Sequence, residues 1–178
     1  MKGNKKFMKT ETYDKLKKLY DKYNAQEFGK ICQKLLALSF CNAGYGHIVE
    51  RGVQGVDVDA VKENGERYAI EVKTSKYDTI NFQKKDVEGL QKRKVDGYKP
   101  VLAVLRLNRF SNLIFVKADN LDAGIKHIDN LFYHINELEE TISPIFDEIV
   151  RTHYYNTLKN GQKYLDDQLK KVGAEVNE

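Results

Sequence analysis

The stretch from Gly55 to Lys73, GVDVDAVKENGERYAIEVK, brings Asp57, Asp59, Glu71 and Lys73 within reach of one another if it folds as a hairpin. Asn64-Gly65 between two alternating runs is a strong short-range signal for the hairpin turn. Alternate residues of a strand share a face. The expected apolar face is Val56, Val58 and Ala60 against Tyr68, Ile70 and Val72; the opposite face carries Asp57, Asp59, Ala69, Glu71 and Lys73. Three carboxylates on one face repel unless a cation stands among them, and Lys73 offsets only part of that repulsion. Hard cations such as Mg²⁺ take oxygen ligands, often one or two carboxylates with water and a substrate phosphate. The competing reading is a solvated hairpin surface, where acids and lysines also gather.

The flanking elements must hold this hairpin in place. Helical spacing runs over Thr10 to Tyr23 through Tyr13, Leu16, Leu19, Tyr20 and Tyr23. Asn24 reads as the N-cap of a second helix, with Phe28, Ile31, Leu35, Leu36 and Leu38 as its apolar positions and Asn42-Ala-Gly44 as its stop. A short strand is expected over Tyr45 to Glu50, then a turn from Gly52 to Gly55. Beyond the hairpin, Asp86 to Lys94 reads as a helix ending near Asp96-Gly97, Pro100 to Leu107 as a buried strand and Asn112 to Ala118 as its neighbour. From Asn120 onward the pattern is helical, with Ser143-Pro144 opening a helix and Asn160-Gly161 closing it before a last short one. These elements predict an α/β fold with a central mixed sheet flanked by helices. One domain over residues 1–178 is expected, with its core at about 24–118 and a helical C-terminal extension over 119–178.

An aspartate in one strand, a turn, and an apolar strand ending in Glu-x-Lys-Thr/Ser resembles the signature of the PD-(D/E)xK nuclease superfamily. That group includes many type II restriction endonucleases, archaeal Holliday-junction resolvases and repair nucleases. GVDVDAV is similar to the Asp strand, with Val56 where a proline is usual, and YAIEVKTSK to the Glu-x-Lys strand. The resemblance covers approximately Gln26 to Ala118. It implies a restriction-endonuclease-like core and hydrolysis of DNA phosphodiesters with Mg²⁺, Mn²⁺ being a substitute. It further implies Asp57 and Glu71 as metal ligands, the Val72 carbonyl as another, and Lys73 as the group that orients the attacking water. Asp59 is an alternative or second ligand. Glu27 stands where several such families place a glutamate on the helix before the sheet. Asn24-x-x-Glu27 also has capping-box spacing, and both roles can coexist. Lys76 and Gln83 occupy places where relatives carry further polar groups, with solvated loop residues as the alternative.

Charge supports a nucleic-acid partner without choosing one. The net charge is +4, but lysines crowd the N-terminal segment (among them Lys2, Lys5, Lys6 and Lys9) and a second basic group comprises Lys84, Lys85, Lys92, Arg93, Lys94 and Lys99. Asp119 to Glu148 is acidic, with Lys126 as its only Lys or Arg. Gln83, Lys84, Lys85, Lys92, Arg93 and Lys94 are the candidate DNA contacts, the cations meeting the backbone. Cys32 and Cys41 lack zinc spacing, no apolar run is long enough for a membrane span, and a cytoplasmic setting is expected. A homodimer would suit a two-fold substrate. Rival classes are a non-catalytic nucleic-acid-binding module and an interaction protein built on the C-terminal helices.

Overall fold

The computed structural model describes residues 7–52, 55–108 and 111–177. Lys2, Lys5 and Lys6 of the basic N-terminal group lie outside the described residues, as do Val53 and Gln54 of the predicted turn. In chain order the elements are α1 (Thr10–Lys22), α2 (Ala25–Asn42), β1 (Gly46–Arg51), β2 (Val58–Val61), β3 (Arg67–Ser75), β4 (Thr79–Phe82), α3 (Lys84–Val95), β5 (Lys99–Arg106), β6 (Asn112–Lys117), β7 (Gly124–His127), α4 (Asn136–Lys171) and β8 (Glu175–Asn177). Six strands form one mixed sheet in the order β6-β5-β3-β2-β1-β8, and β4 pairs with β7 in a separate ribbon.

β3 is the organising strand. Its first half pairs antiparallel with β2, from Val58 opposite Ile70 to Val61 opposite Arg67. This register is set by a three-residue loop, Glu63 to Gly65, in which Gly65 takes φ 91° and the Lys62 N–H donates to the Glu66 carbonyl at 2.7 Å. Along its whole length it also runs parallel to β5, from Tyr68 opposite Lys99 to Ser75 opposite Arg106. A parallel pair needs a crossover, and the β4–α3 segment supplies it. β5 is consequently covered on both faces, which is why its residues from Pro100 onward are all buried.

Two apolar cores lie on either side of the sheet. One joins α1, α2 and α4 to Val58, Ala60, Tyr68, Ile70 and Phe115. The other joins Leu90 of α3 and Ile80 and Phe82 of β4 to Val56, Ala69, Leu102 and Val104. The hairpin face expected to be polar and open is therefore roofed by α3. Val56 departs from the expected alternation: it lies in the second core with Ala69, not in the first with Val58. The ladder with β3 begins only at Val58, and the bend at Asp57 breaks the two-residue period upstream of it.

The segment after residue 118 is less uniformly helical than its pattern predicts. It contains β7, which pairs with β4, and β8, which runs parallel to β1 from Val49 opposite Glu175 to Arg51 opposite Asn177. α4 starts at Asn136, well before Pro144, and continues to Lys171. Pro144 and Glu140, whose carbonyl loses its helical donor, both lie on the exposed side, where water can replace the missing bond. At Gly161 the backbone leaves helical geometry (φ 63°, ψ −148°), so the expected stop before a last helix is present as a kink between two helical stretches of α4.

Candidate active site

Asp57, at the bend before β2, sends its carboxylate across to β3. Oδ2 accepts the Val72 backbone N–H at 2.8 Å. β2 no longer pairs with β3 at that point, so the side chain stands in for the missing backbone acceptor. Glu71 and Lys73 follow on one face of β3, the face covered by α3. Lys73 Nζ lies 3.4 Å from Glu71 Oε1 and 2.6 Å from Asp86 Oδ2. Asp86 was not among the residues singled out by sequence. It comes from the first turn of α3, where its carboxylate also accepts the Gln83 backbone N–H at 2.8 Å, closing a capping box. The Gln-x-x-Asp spacing was the one available signal, and it departs from the usual Ser/Thr-x-x-Glu form.

This is no solvated face. Glu71 is 6% exposed and Asp86 6%. Burial, then the neighbouring Asp57 and Asp86, push the Glu71 carboxyl up to about 9. Burial also raises Asp57 to about 6, against the opposing pull of the Val72 N–H and Lys73. For Lys73 burial disfavours the ammonium, yet Asp86, Glu71 and Asp57 outweigh it and raise its pKa. Three carboxylates thus surround one cation, and the negative charge is under-compensated.

The remaining predicted residues are distributed differently. Asp59 is 1% exposed and points to arginines: Oδ2 accepts from Arg51 Nη2 at 2.6 Å and from Arg93 Nη2 at 2.7 Å. Arg93 Nη1 also donates to Asp96 at 2.9 Å, and its guanidinium lies 4.0 Å above the Tyr98 ring. Arg93, expected toward DNA, is engaged within the protein. Lys84, Lys85, Lys92 and Lys94 are exposed on α3, with Lys94 3.5 Å from Asp119. Gln83 is the exposed N-cap of α3. Glu27 is half-buried, and its backbone N–H donates to the Asn24 side chain at 2.8 Å. The start of α2 packs over Thr74, 3.9 Å from a β-carbon built on Gly29, and Thr74 alternates with Lys73 along β3. None of the described contacts joins Glu27 to Asp57, Glu71 or Lys73.

Among the described residues, no three His, Cys, Asp or Glu side chains group closely enough to hold a metal ion. The donor set nonetheless fits a hard cation in its chemistry: Asp57 and Glu71 offer carboxylate oxygen, and Mg²⁺ is commonly held by one or two carboxylates with water. The raised Glu71 and Asp57 carboxyls are groups that an added positive charge would ionise.

A known structure is similar to this chain. It is that of Archaeoglobus fulgidus Hjc, a Holliday junction resolvase from an archaeal hyperthermophile, at 19% identity and a TM-score of 0.45, covering 58% of this chain and 93% of that one. No protein-family model and no curated protein matches the chain. No helix among the described residues is long and apolar enough to cross a membrane.

Proposed function

We propose that the protein is a Mg²⁺-dependent DNA endonuclease acting through the site between β3 and α3. The observation that carries this reading is the group of buried Glu71 and Asp86 and half-buried Asp57 around Lys73, in which Glu71 is pushed up to about 9. Folding alone gives no reason to bury two acids and half-bury a third beside one lysine, since the desolvation cost is large and only partly offset. The Glu-x-Lys motif on a central strand adds support through its resemblance to the PD-(D/E)xK nucleases.

Asp57 and Glu71 would hold the ion, with the Val72 carbonyl as a third oxygen donor. Bound Mg²⁺ supplies Lewis acidity and neutralises charge on the phosphate. The chain's own residues do the rest. Asp86 fixes the Lys73 ammonium through its 2.6 Å contact, so the cation is already aimed when a phosphodiester arrives. Lys73 orients the attacking water and stabilises the charge that develops on the phosphate oxygens as that water adds to phosphorus; the P–O ester bond breaks, and the proton the water gives up is made good by solvent at the departing oxygen. Asp57, anchored on the Val72 N–H, keeps its position against β3 during this step. Lys84, Lys85 and Lys92 on the exposed side of α3 would contact the duplex backbone, giving affinity that falls with salt.

Plasmid cleavage tests the assignment. Wild-type protein with Mg²⁺ is expected to nick or linearise supercoiled DNA, and Lys73→Ala and Glu71→Ala to abolish cutting while circular dichroism stays native. Wild-type-like cutting by both variants would sink it. Running linear, supercoiled and four-way-junction DNA in parallel separates a restriction-type cutter from a branched-DNA resolvase.

A further inference from the structure

A cleft of about 560 Å³ opens at the carboxyl ends of the parallel strands β3 and β5, lined among others by Tyr13, Lys17, Tyr20, Lys76, Tyr77 and Asp78. It shares no residue with the group around Glu71. Tyr13, Lys17 and Tyr20 recur at helical spacing, so α1 presents them as one stripe. The opposite rim is the turn between β3 and β4, and that turn is fixed. Ser75 Oγ accepts the Tyr77 N–H at 3.0 Å and donates to the Thr79 carbonyl at 2.7 Å. The Asp78 carboxylate accepts from Arg106 and from Asn108 Nδ2 at 2.9 Å, and its carbonyl accepts the Ile128 N–H at 2.7 Å.

Tyr77 therefore stands on a rigid mount, yet its side chain is 75% exposed. A large aromatic ring held out in water contributes little to the core, and the described hydrogen bonds of Tyr77 involve only its backbone. Across the cleft, Tyr20 is braced edge-to-face on Phe28 at 5.2 Å, and the Lys76 ammonium lies 3.8 Å over its ring. Lys17 and Lys76 outnumber Asp78 in the cleft, and Asp78 also shares Arg106 with Asp129, so the lining is net cationic.

We propose that this cleft is a subsite for unpaired DNA: a base stacks on Tyr77, and Lys17 and Lys76 meet the adjoining phosphates. Fixed aromatics beside lysines are what sequence-independent single-strand recognition uses. Crevices outside the carboxyl ends of strands are the usual ligand position in open α/β sheets. Lys76 lies three residues beyond Lys73, roughly 10 Å along the strand direction at ~3.3 Å per residue. That is about three stacked nucleotides at ~3.4 Å each. The inference deepens the nuclease reading and rests on it for its meaning, by naming the substrate class as DNA with a single-stranded segment next to the cleavage point.

The test is fluorescence anisotropy in EDTA, where cleavage plays no part. A labelled oligothymidylate is compared with a blunt duplex of equal length. Tyr77→Ala is expected to weaken oligothymidylate binding about 5- to 150-fold, the range for one lost base–aromatic stack, with duplex affinity unchanged. Tyr77→Phe should retain wild-type affinity. Lys17→Gln should lower the salt slope of oligothymidylate binding by about 0.7, one phosphate contact. Failure of the wild-type protein to bind oligothymidylate, or equal binding by Tyr77→Ala, would overturn the subsite whatever happens to plasmid. Tyr77-dependent binding by a protein that cuts neither plasmid, nor four-way junction, nor duplex with a single-stranded segment in Mg²⁺ would keep the subsite and remove the hydrolytic reading.

Discussion

At the scale of the residue, the site is defined by protons it retains. In the metal-free protein Glu71 titrates at about 9 and Asp57 at about 6, both above the ordinary carboxylate range. The folded state binds more protons than the unfolded chain, so this stability is present below the ordinary carboxylate pKa and is lost as pH rises through about 6 and about 9. The melting temperature in EDTA is therefore expected to fall between about pH 5 and pH 9, and Glu71→Gln should flatten most of that fall. Mg²⁺ binds the ionised carboxylates, so the increment it adds should grow over the same window. A flat profile for wild type, or a Mg²⁺ increment that shrinks with pH, would count against the site. The meeting of Asp57, Glu71 and Lys73 was legible because a short turn sets the register of nearby residues. Asp86 was hidden because it arrives from another element, and no local period links it to β3.

Elements show why some boundaries were legible and others were not. The α2 N-cap was readable because the Asn24 side chain acts on its own helix, accepting the Glu27 N–H. The strands of the hairpin and β5 followed from alternation and from a continuous apolar run. Local rules count proline and glycine as breaks: Gly161 does break the helical backbone, but Pro144 does not open α4. Packing joins the stretches on either side: Leu138 and Ile142 before the proline, and Leu165 and Leu169 after the glycine, belong to the same core. Gly161 sits in a backbone region that other residues enter only with strain, and an added β-carbon would lie 3.4 Å from the Tyr23 hydroxyl. Gly161→Ala is expected to destabilise the protein by about 1–3 kcal/mol in urea unfolding. An unchanged midpoint would mean that α4 tolerates a side chain at the kink.

Across the whole molecule, the sheet is tied to the helical layer by a buried charge network. Lys34 of α2, 4% exposed, contacts Glu50 of β1 at 2.9 Å and Asp166 of α4 at 2.6 Å. Gln33 Nε2 adds a 2.7 Å bond to Glu50, which is fully buried and whose pKa is raised by that burial. Lys34→Met would strand two carboxylates and is expected to cost about 3–5 kcal/mol, as for other broken buried pairs. Adding Glu50→Gln should recover a large part of it; a Lys34→Met protein as stable as wild type would refute the network's role. Chain order and periodicity by themselves determined the hairpin, the side chains that share its faces from Val58 on and the pairing of an Asp strand with a Glu-x-Lys strand, because these depend on contacts between near neighbours. The tertiary structure alone decided that α3 roofs the acidic face, that Asp59 turns to Arg51 and Arg93, and that Asp86 joins Lys73. Those outcomes depend on which distant elements share a face, and a crossover or a bend changes that without leaving a period in the sequence.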